Sequence, residues 1–334
     1  MSEVAEYAGV SVSTVSHVIN QTRPVSDQLS ARVKTAMREL GYQQNRLARS
    51  LRRGETNTIG VILPDSANPF FAEVARGIED NGFEQGYSVI ICNSDSNQEK
   101  EQFYTSVLFE KQVDGIIFLS TGESTDLIST LQKLQELERP VVIVDRVVPG
   151  AYIDSVMTDN TEGGWLATSH LIQLGHRRIG CISGPSALSP SADRLTGYRK
   201  ALAENDIPVD ESLIVGGDFH YQGGYTNTID LLRSYNAPSA IFALNDLMAV
   251  GAIAAARKMG KRVPEELSVI GFDDIALASY TCPQLTTVAQ PKYEMGILAT
   301  NLLFDRIRNS SLHPRFRTLE TSLVIRKSTA SPRK

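Results

Sequence analysis

A chain of 334 residues with 42% hydrophobic content is long enough for two or three packed domains. Its longest apolar stretches, such as Gly115 to Leu119 and Pro140 to Val144, are strand-length, which excludes a bilayer span from the expectations. The N-terminus has no charged-then-apolar-then-small pattern, so no secretory signal is expected. The net charge of −5 is unevenly spread: up to Gly54 there are eight Lys or Arg against four Asp or Glu, and beyond it twenty-five against thirty-four. A basic head on an acidic body points to a polyanion met by the head alone.

Cys92, Cys181 and Cys282 lie far apart without ligand spacing. They are expected to be buried thiols in a reducing compartment, which places the chain in the cytoplasm with no disulfide, metal site or cofactor.

Glu3 to Ala8 is predicted as a short amphipathic helix, with Gly9 permitting a sharp turn. Ser11 is a good N-cap for the next helix, Val12 to Ile19. Val4, Ala8, Val15 and Val18 can pack between the two. Pro24 and Ser26 introduce a third helix, with Leu29, Val33, Met37 and Leu40 at helical spacing and Gly41 as its stop. Three short helices with a tight turn between the first two make a helix-turn-helix.

From Thr58 strands alternate with helices. Thr58 to Leu63, Ser88 to Cys92, Gly115 to Leu119 and Pro140 to Val144 are short and apolar, with helical stretches at Phe70 to Gln85, Glu99 to Lys111 and Thr125 to Leu137. The series resumes with helices Thr161 to Leu174, Leu195 to Asn205, Tyr221 to Ser234 and Asp246 to Met259, and strands Arg178 to Ile182, Ala240 to Leu244 and Ser268 to Phe272. Such alternation implies parallel sheets flanked by helices, and the units are too many for one sheet, so two similar lobes are expected.

Ligands of open α/β sheets sit beyond the C-terminal ends of strands. Asn68, Phe70 and Phe71 follow the first strand, and Asp145 and Arg146 the fourth. In the second half Arg194 opens a helix, Phe219 follows Gly216-Gly217-Asp218, Asn245 and Asp273 end strands, and Gln290 lies at a junction. Aromatic faces suit the C–H face of a sugar ring, while carboxylates, amides and arginine forks suit its hydroxyls. Ordinary alternatives stand beside these roles: a surface ion pair for Asp145 and Arg146, core packing for the two phenylalanines, and capping for Asp273. Asp246 is expected to be an N-cap rather than a ligand group.

The strings Val4-Ala5-Glu6-Tyr7-Ala8-Gly9-Val10-Ser11, Thr14-Val15-Ser16-His17-Val18-Ile19-Asn20 and Asn45-Arg46-Leu47-Ala48-Arg49-Ser50-Leu51 resemble the lactose-repressor (LacI/GalR) family along essentially the whole chain. The family pattern usually carries a few residues ahead of the first one here, so a shortened first helix is expected. The resemblance implies an N-terminal all-α helix-turn-helix headpiece and an α/β two-lobed, type I periplasmic-binding-protein-like core with parallel sheets. The implied domains are 1–44 for the head, 45–57 for a hinge helix and linker, and 58–334 for the core. One lobe would take about 58–157 and 290–320, the other about 158–289 and 321–334, with crossings near Met157, Ala289 and Glu320.

The same resemblance implies that Val12, Ser13 and His17 face base edges in the major groove. Ser11, Thr14, Ser16 and Asn20 would hold phosphates, which fix register without reading sequence. Asn45, Ala48 and Leu51 would lie in the minor groove of a pseudo-palindromic double-stranded operator, Leu51 wedging the central base step of a homodimer's site. The core resembles the ribose-repressor branch, which implies D-ribose as effector. That branch often has Trp where this chain has Arg146, so another pentose or a hexose also fits. A purine-responsive regulator remains open, although the purine pattern has an arginine where this chain has Leu188. An enzyme or a cytoplasmic sugar binder are further alternatives. No phosphate-binding glycine loop, nucleophile elbow or metal-spaced histidine pair is present.

Overall fold

The computed structural model describes residues 1–20, 22–42, 55–119, 125–146, 148 and 152–333. The expected minor-groove residues Asn45, Ala48 and Leu51 lie outside them. The chain divides into two compact units, Met1–Thr56 and Asn57–Lys334.

The first unit holds α1 (Ser2–Ala8), α2 (Val12–Asn20) and α3 (Asp27–Glu39). Val4, Ala5, Ala8, Val15, Val33 and Ala36 form its core. Gly9 turns the chain at φ 60°, a left-handed conformation costly for other residues. Arg32 of α3 donates to the carbonyls of Ala8 and Gly9 at 2.5 and 3.3 Å, tying α3 to that turn.

The second unit contains two six-stranded sheets. The first has the order β11-β5-β4-β3-β1-β2 and is parallel throughout: β1 (Thr58–Leu63), β2 (Ser88–Asn93), β3 (Gly115–Phe118), β4 (Val141–Val144), β5 (Asp154–Thr158) and β11 (Phe316–Leu319). The second has the order β12-β10-β9-β8-β6-β7: β6 (Ile179–Ser183), β7 (Ile214–Gly216), β8 (Ala240–Ala243), β9 (Ser268–Asp273), β10 (Thr286–Ala289) and β12 (Ser322–Val324). Only β12, at its edge, runs antiparallel among the described strands. Nearly continuous burial along β1, β3, β4, β8 and β9 is what a sheet covered on both faces requires.

The helices of the first sheet are α4 (Pro69–Glu84), α5 (Gln98–Glu110), α6 (Thr125–Glu136) and α12 (Lys292–Arg308); those of the second are α7 (Asn160–Gln173), α8 (Ser189–Glu204), α9 (Tyr221–Arg233) and α10 (Asp246–Lys258), with a short α11 (Ala276–Tyr280) after β9. The chain passes between sheets after Thr158, between Ala289 and Lys292, and between Leu319 and Ser322. Neither lobe is therefore a continuous stretch of chain.

Three local expectations are corrected. The helix carrying Arg194 starts at Ser189, with Pro190 in its first turn, so Arg194 lies in the second turn rather than at the opening. Proline suits a first turn because its missing N–H has no partner there in any case. Asn245, not Asp246, caps α10, its Oδ1 accepting from Met248 N at 2.9 Å. Cys282 is exposed, in the turn between α11 and β10, whereas Cys92 and Cys181 are buried in strands.

Candidate ligand cavity and DNA-facing helix

In the head, α2 buries only Val15. Ser11, Val12 and Ser13 are exposed, and Thr14, Ser16, His17 and Asn20 are half-buried. The Ser11 hydroxyl caps the helix, accepting from Thr14 N at 3.1 Å, and lies 2.7 and 2.8 Å from the Ser13 and Thr14 hydroxyls. His17 shares a 2.8 Å hydrogen bond through Nδ1 with Thr22, so Nε2 is the ring nitrogen left for an outside partner. The Asn20 amide folds back on Ser16, donating to its carbonyl at 2.9 Å and its hydroxyl at 3.2 Å. The exposed side of α2 thus begins with a hydroxyl cluster and continues through His17.

In the core, a cavity of about 100 Å³ opens at the strand ends of both lobes. One water needs roughly 10–15 Å³ on the same measure, so a small ring compound has room. Nine of the ten expected residues line it: Asn68, Phe70, Phe71, Asp145 and Arg146 from the first lobe, and Arg194, Phe219, Asn245 and Asp273 from the second. Gln290 is not in the wall. It stands behind it, 3% exposed, donating through Nε2 to Asp273 Oδ1 at 2.7 Å and accepting through Oε1 from the Thr158 hydroxyl.

Local structure explains how each side chain arrives. Asn68 caps α4, accepting from Phe70 N at 3.0 Å, and the cap starts the helix that carries both rings. Phe70 packs edge-on against Phe71, centroids 5.1 Å apart; Phe70 belongs to the first lobe's core and Phe71 borders it. Phe219 adopts φ 64° and its ring rests where a Cβ on Gly184 would stand, 2.2 Å from the ring carbon Cζ. The amide of Asn245 donates to the Phe219 carbonyl at 2.8 Å, so the α10 cap also fixes the aromatic loop.

Four charged side chains meet here, each under a tenth exposed: Asp145 at 7%, Arg146 at 5%, Arg194 at 3% and Asp273 at 5%. Asp145 and Arg146 are therefore not a surface ion pair. Arg194 donates through Nε to Asn160 Oδ1 at 2.7 Å and through Nη1 to the Leu244 carbonyl at 2.6 Å, and lies 3.5 Å from Asp273. Burial pushes the Asp273 carboxyl up to about 6, with Arg194 and Gln290 opposing the shift. Burial also raises Asp145, against the pull of Arg194 and Arg146. Asp145 Oδ1 is buried with no hydrogen-bond partner among the described residues. A buried acceptor left empty is costly, and a donor from a bound molecule would satisfy it.

Sequence reasoning did not single out Asp65, Ser96 or His220, nor the prolines 64, 185 and 190, all of which line the cavity. Their shared signal was available, since Pro64, Asp65, Ser96, Pro185 and His220 fall in segments that follow β1, β2, β6 or β7, and Pro190 lies in the first turn of the helix after β6. Leu188 and Asp218 also stand in the wall. Among the described residues no cluster of His, Cys, Asp or Glu could hold a metal ion, and no helix is long and apolar enough to cross a membrane.

A helix-turn-helix head and a core with a polar cavity between two parallel-sheet lobes define a DNA-binding regulator with a ligand-binding core. Residues 1–45 match the bacterial regulatory proteins of the lacI family, and residues 168–329 match the periplasmic binding protein-like domain. An HTH-type transcriptional repressor PurR of Photobacterium profundum is 39% identical over 328 residues, covering 98% of both chains. The chain belongs to the lacI family of transcriptional regulators. Among solved structures, a Lac repressor dimer bound to operator and the anti-inducer ONPF is 31% identical, covers 98% of both chains and superimposes with a TM-score of 0.89. A LacI family regulator from Enterococcus faecium with bound ribose is 37% identical, with a TM-score of 0.75 over 82% of this chain and 99% of its own.

Proposed function

We propose that this protein is a transcriptional repressor whose operator affinity is controlled by a small sugar, D-ribose, bound between the two lobes of the core. The observation that carries this reading is the pair of buried carboxylates, Asp145 from one lobe and Asp273 from the other, brought to one cavity with Arg146, Arg194 and the Phe71 and Phe219 rings. A pentose offers donors to both carboxylates at once, acceptors to the arginine forks and a C–H face to the rings. Asn68 and Asn245 would add amide contacts, and Gln290 acts through Asp273. Asp65, Asp145, Asp218 and Asp273 against two arginines disfavour a phosphorylated sugar. The Enterococcus faecium relative holds ribose.

A second reading is a purine effector, favoured by the PurR name of the Photobacterium profundum relative. Against it, Leu188 stands in the cavity wall where the purine pattern calls for an arginine. Titration calorimetry with ribose, other sugars, sugar phosphates and purines separates the two. Selective saturation by ribose supports the first; a purine signal with ribose silent overturns it.

On DNA, Val12, Ser13 and His17 would meet base edges and Ser11, Thr14, Ser16 and Asn20 phosphates, with two copies of the chain pairing on a pseudo-palindromic operator. Asn45, Ala48 and Leu51 would enter the minor groove between the two heads. Ribose closing the lobes would relieve repression, and linkage requires that operator DNA weaken ribose binding by the same factor. Operator affinity that is identical with and without saturating ribose would rule this mechanism out.

A further inference from the structure

Lys292 opens α12, a helix that packs on α4, β3, β4 and β5 of the first lobe. A cation at that end opposes the helix dipole, and the residue is only 4% exposed, so its burial needs compensation. The compensation comes from the second lobe, from the segment that crosses between lobes and from one carboxylate of the first lobe. Its Nζ donates to the carbonyls of Asp273 at 2.7 Å, Asp274 at 2.9 Å and Gln290 at 3.4 Å, with the Glu73 carboxylate of α4 at 3.7 Å.

The two aspartates whose carbonyls it gathers are strained. Asp273 has φ 110° and Asp274 φ 52°, left-handed conformations that a non-glycine residue keeps only when its surroundings impose them. Asp273 turns its carboxylate to the cavity from this bend, and the Gln290 amide steadies that carboxylate. The next residue, Ile275, is 1% exposed and sits in the core cluster of the first lobe. The end of β9 is thus tied to the opposite lobe by the Lys292 ammonium and by its own Ile275 side chain, buried in that lobe's core.

We propose that Lys292 is a positioning residue for effector recognition: by gathering three carbonyls at the crossing, it holds the Asp273 carboxylate at the cavity and joins the two lobes on that side. The role rests on the cavity being the effector site, but its effect on Asp273 exists without any ligand. An ammonium held against the Asp273 backbone favours the ionised carboxylate, and Lys292 shares that influence with Arg194 of α8 against Asp145 and Asp246.

The test compares the full chain with Lys292→Met, Lys292→Gln and Lys292→Arg. Asp273 is titrated in the ligand-free protein by carboxyl carbon NMR, assigned with Asp273→Asn, and ribose affinity is measured by calorimetry. Expected in both uncharged variants are an upward move of the Asp273 titration and a tenfold or greater loss of ribose affinity, with Lys292→Arg recovering most of both. Lys292→Gln keeps a donor for the carbonyls and serves if the methionine variant does not fold. An Asp273 titration unchanged in a folded uncharged variant overturns the proposal, as does ribose affinity within twofold of the parent. If the parent itself takes up no ribose, the sugar reading fails, and the ligand-free titration still decides the role of Lys292.

Discussion

Arg194 sits over the ring of Phe272, its guanidinium carbon 3.8 Å from the centroid, while the next residue, Asp273, approaches the same guanidinium at 3.5 Å. One strand end therefore supplies both an aromatic face and a counter-charge. With Asn160 and Leu244 taking Nε and Nη1, the arginine is oriented before any ligand arrives. A group held this way loses little freedom on binding, and that lowers the cost of recognition.

Arg194→Lys is expected to lose the fork that meets Asn160 and Leu244 together, because a point-charge ammonium cannot reproduce it. Ribose affinity should fall a hundredfold or more by calorimetry, with operator affinity of the ligand-free protein unchanged. A variant that still responds to ribose like the parent would remove Arg194 from the site.

Ribose affinity should depend on pH through Asp273. Burial pushes its carboxyl up to about 6, above the usual carboxylate range, so protons would compete with the hydroxyls of the proposed sugar below that point. Affinity at pH 5 should be about tenfold lower than at pH 7.5 if the bound form is ionised. The sign for the ligand-free fold is opposite. A raised folded value means acid favours the folded state, and this contribution is lost as pH rises through 6. Ribose affinity that stays flat from pH 5 to 7.5 would contradict the assignment.

Gly184→Ala places a methyl 2.2 Å from Phe219 Cζ, so the ring must leave its seat. Ribose binding should weaken about tenfold. The melting temperature should change little, because Phe219 is only partly buried at the margin of the core. Equal affinity in both proteins would mean the ring is not a ligand wall.

Ser11→Ala removes the acceptor for Thr14 N. Loss of such a cap costs about 1 kcal/mol. In a head with a core of six small residues this should lower its melting temperature visibly. Operator affinity should fall with it, and an unchanged melting temperature would show that the cap is not needed.

Much of the fold was legible because its central strands are apolar and most of its helices long, although the 17-residue α12 was not read. Strands β5 and β10 were not read, since Asp154, Ser155, Thr286 and Thr287 are buried polar residues that hide the apolar pattern, and β7, β11 and β12 were not read because they are short and carry no buried residue. Their partners are distant in sequence: Asp154 pairs with Arg306 at 2.7 Å, and Thr287 donates to Asp246. No local window contains such pairs. The cavity was more legible than its supports, because wall residues follow strand ends whereas Gln290 and Lys292 act through backbone and side-chain contacts made only after folding.

The interleaved path of the core, with three passages between sheets, also constrains how such a protein can be inherited. A recombination point between β1 and β12 would split at least one lobe and leave β11 or β12 without its sheet. The head, by contrast, is one uninterrupted segment. New combinations of operator and effector are therefore expected to arise by exchanging the head whole, and new effectors by changing cavity residues one at a time.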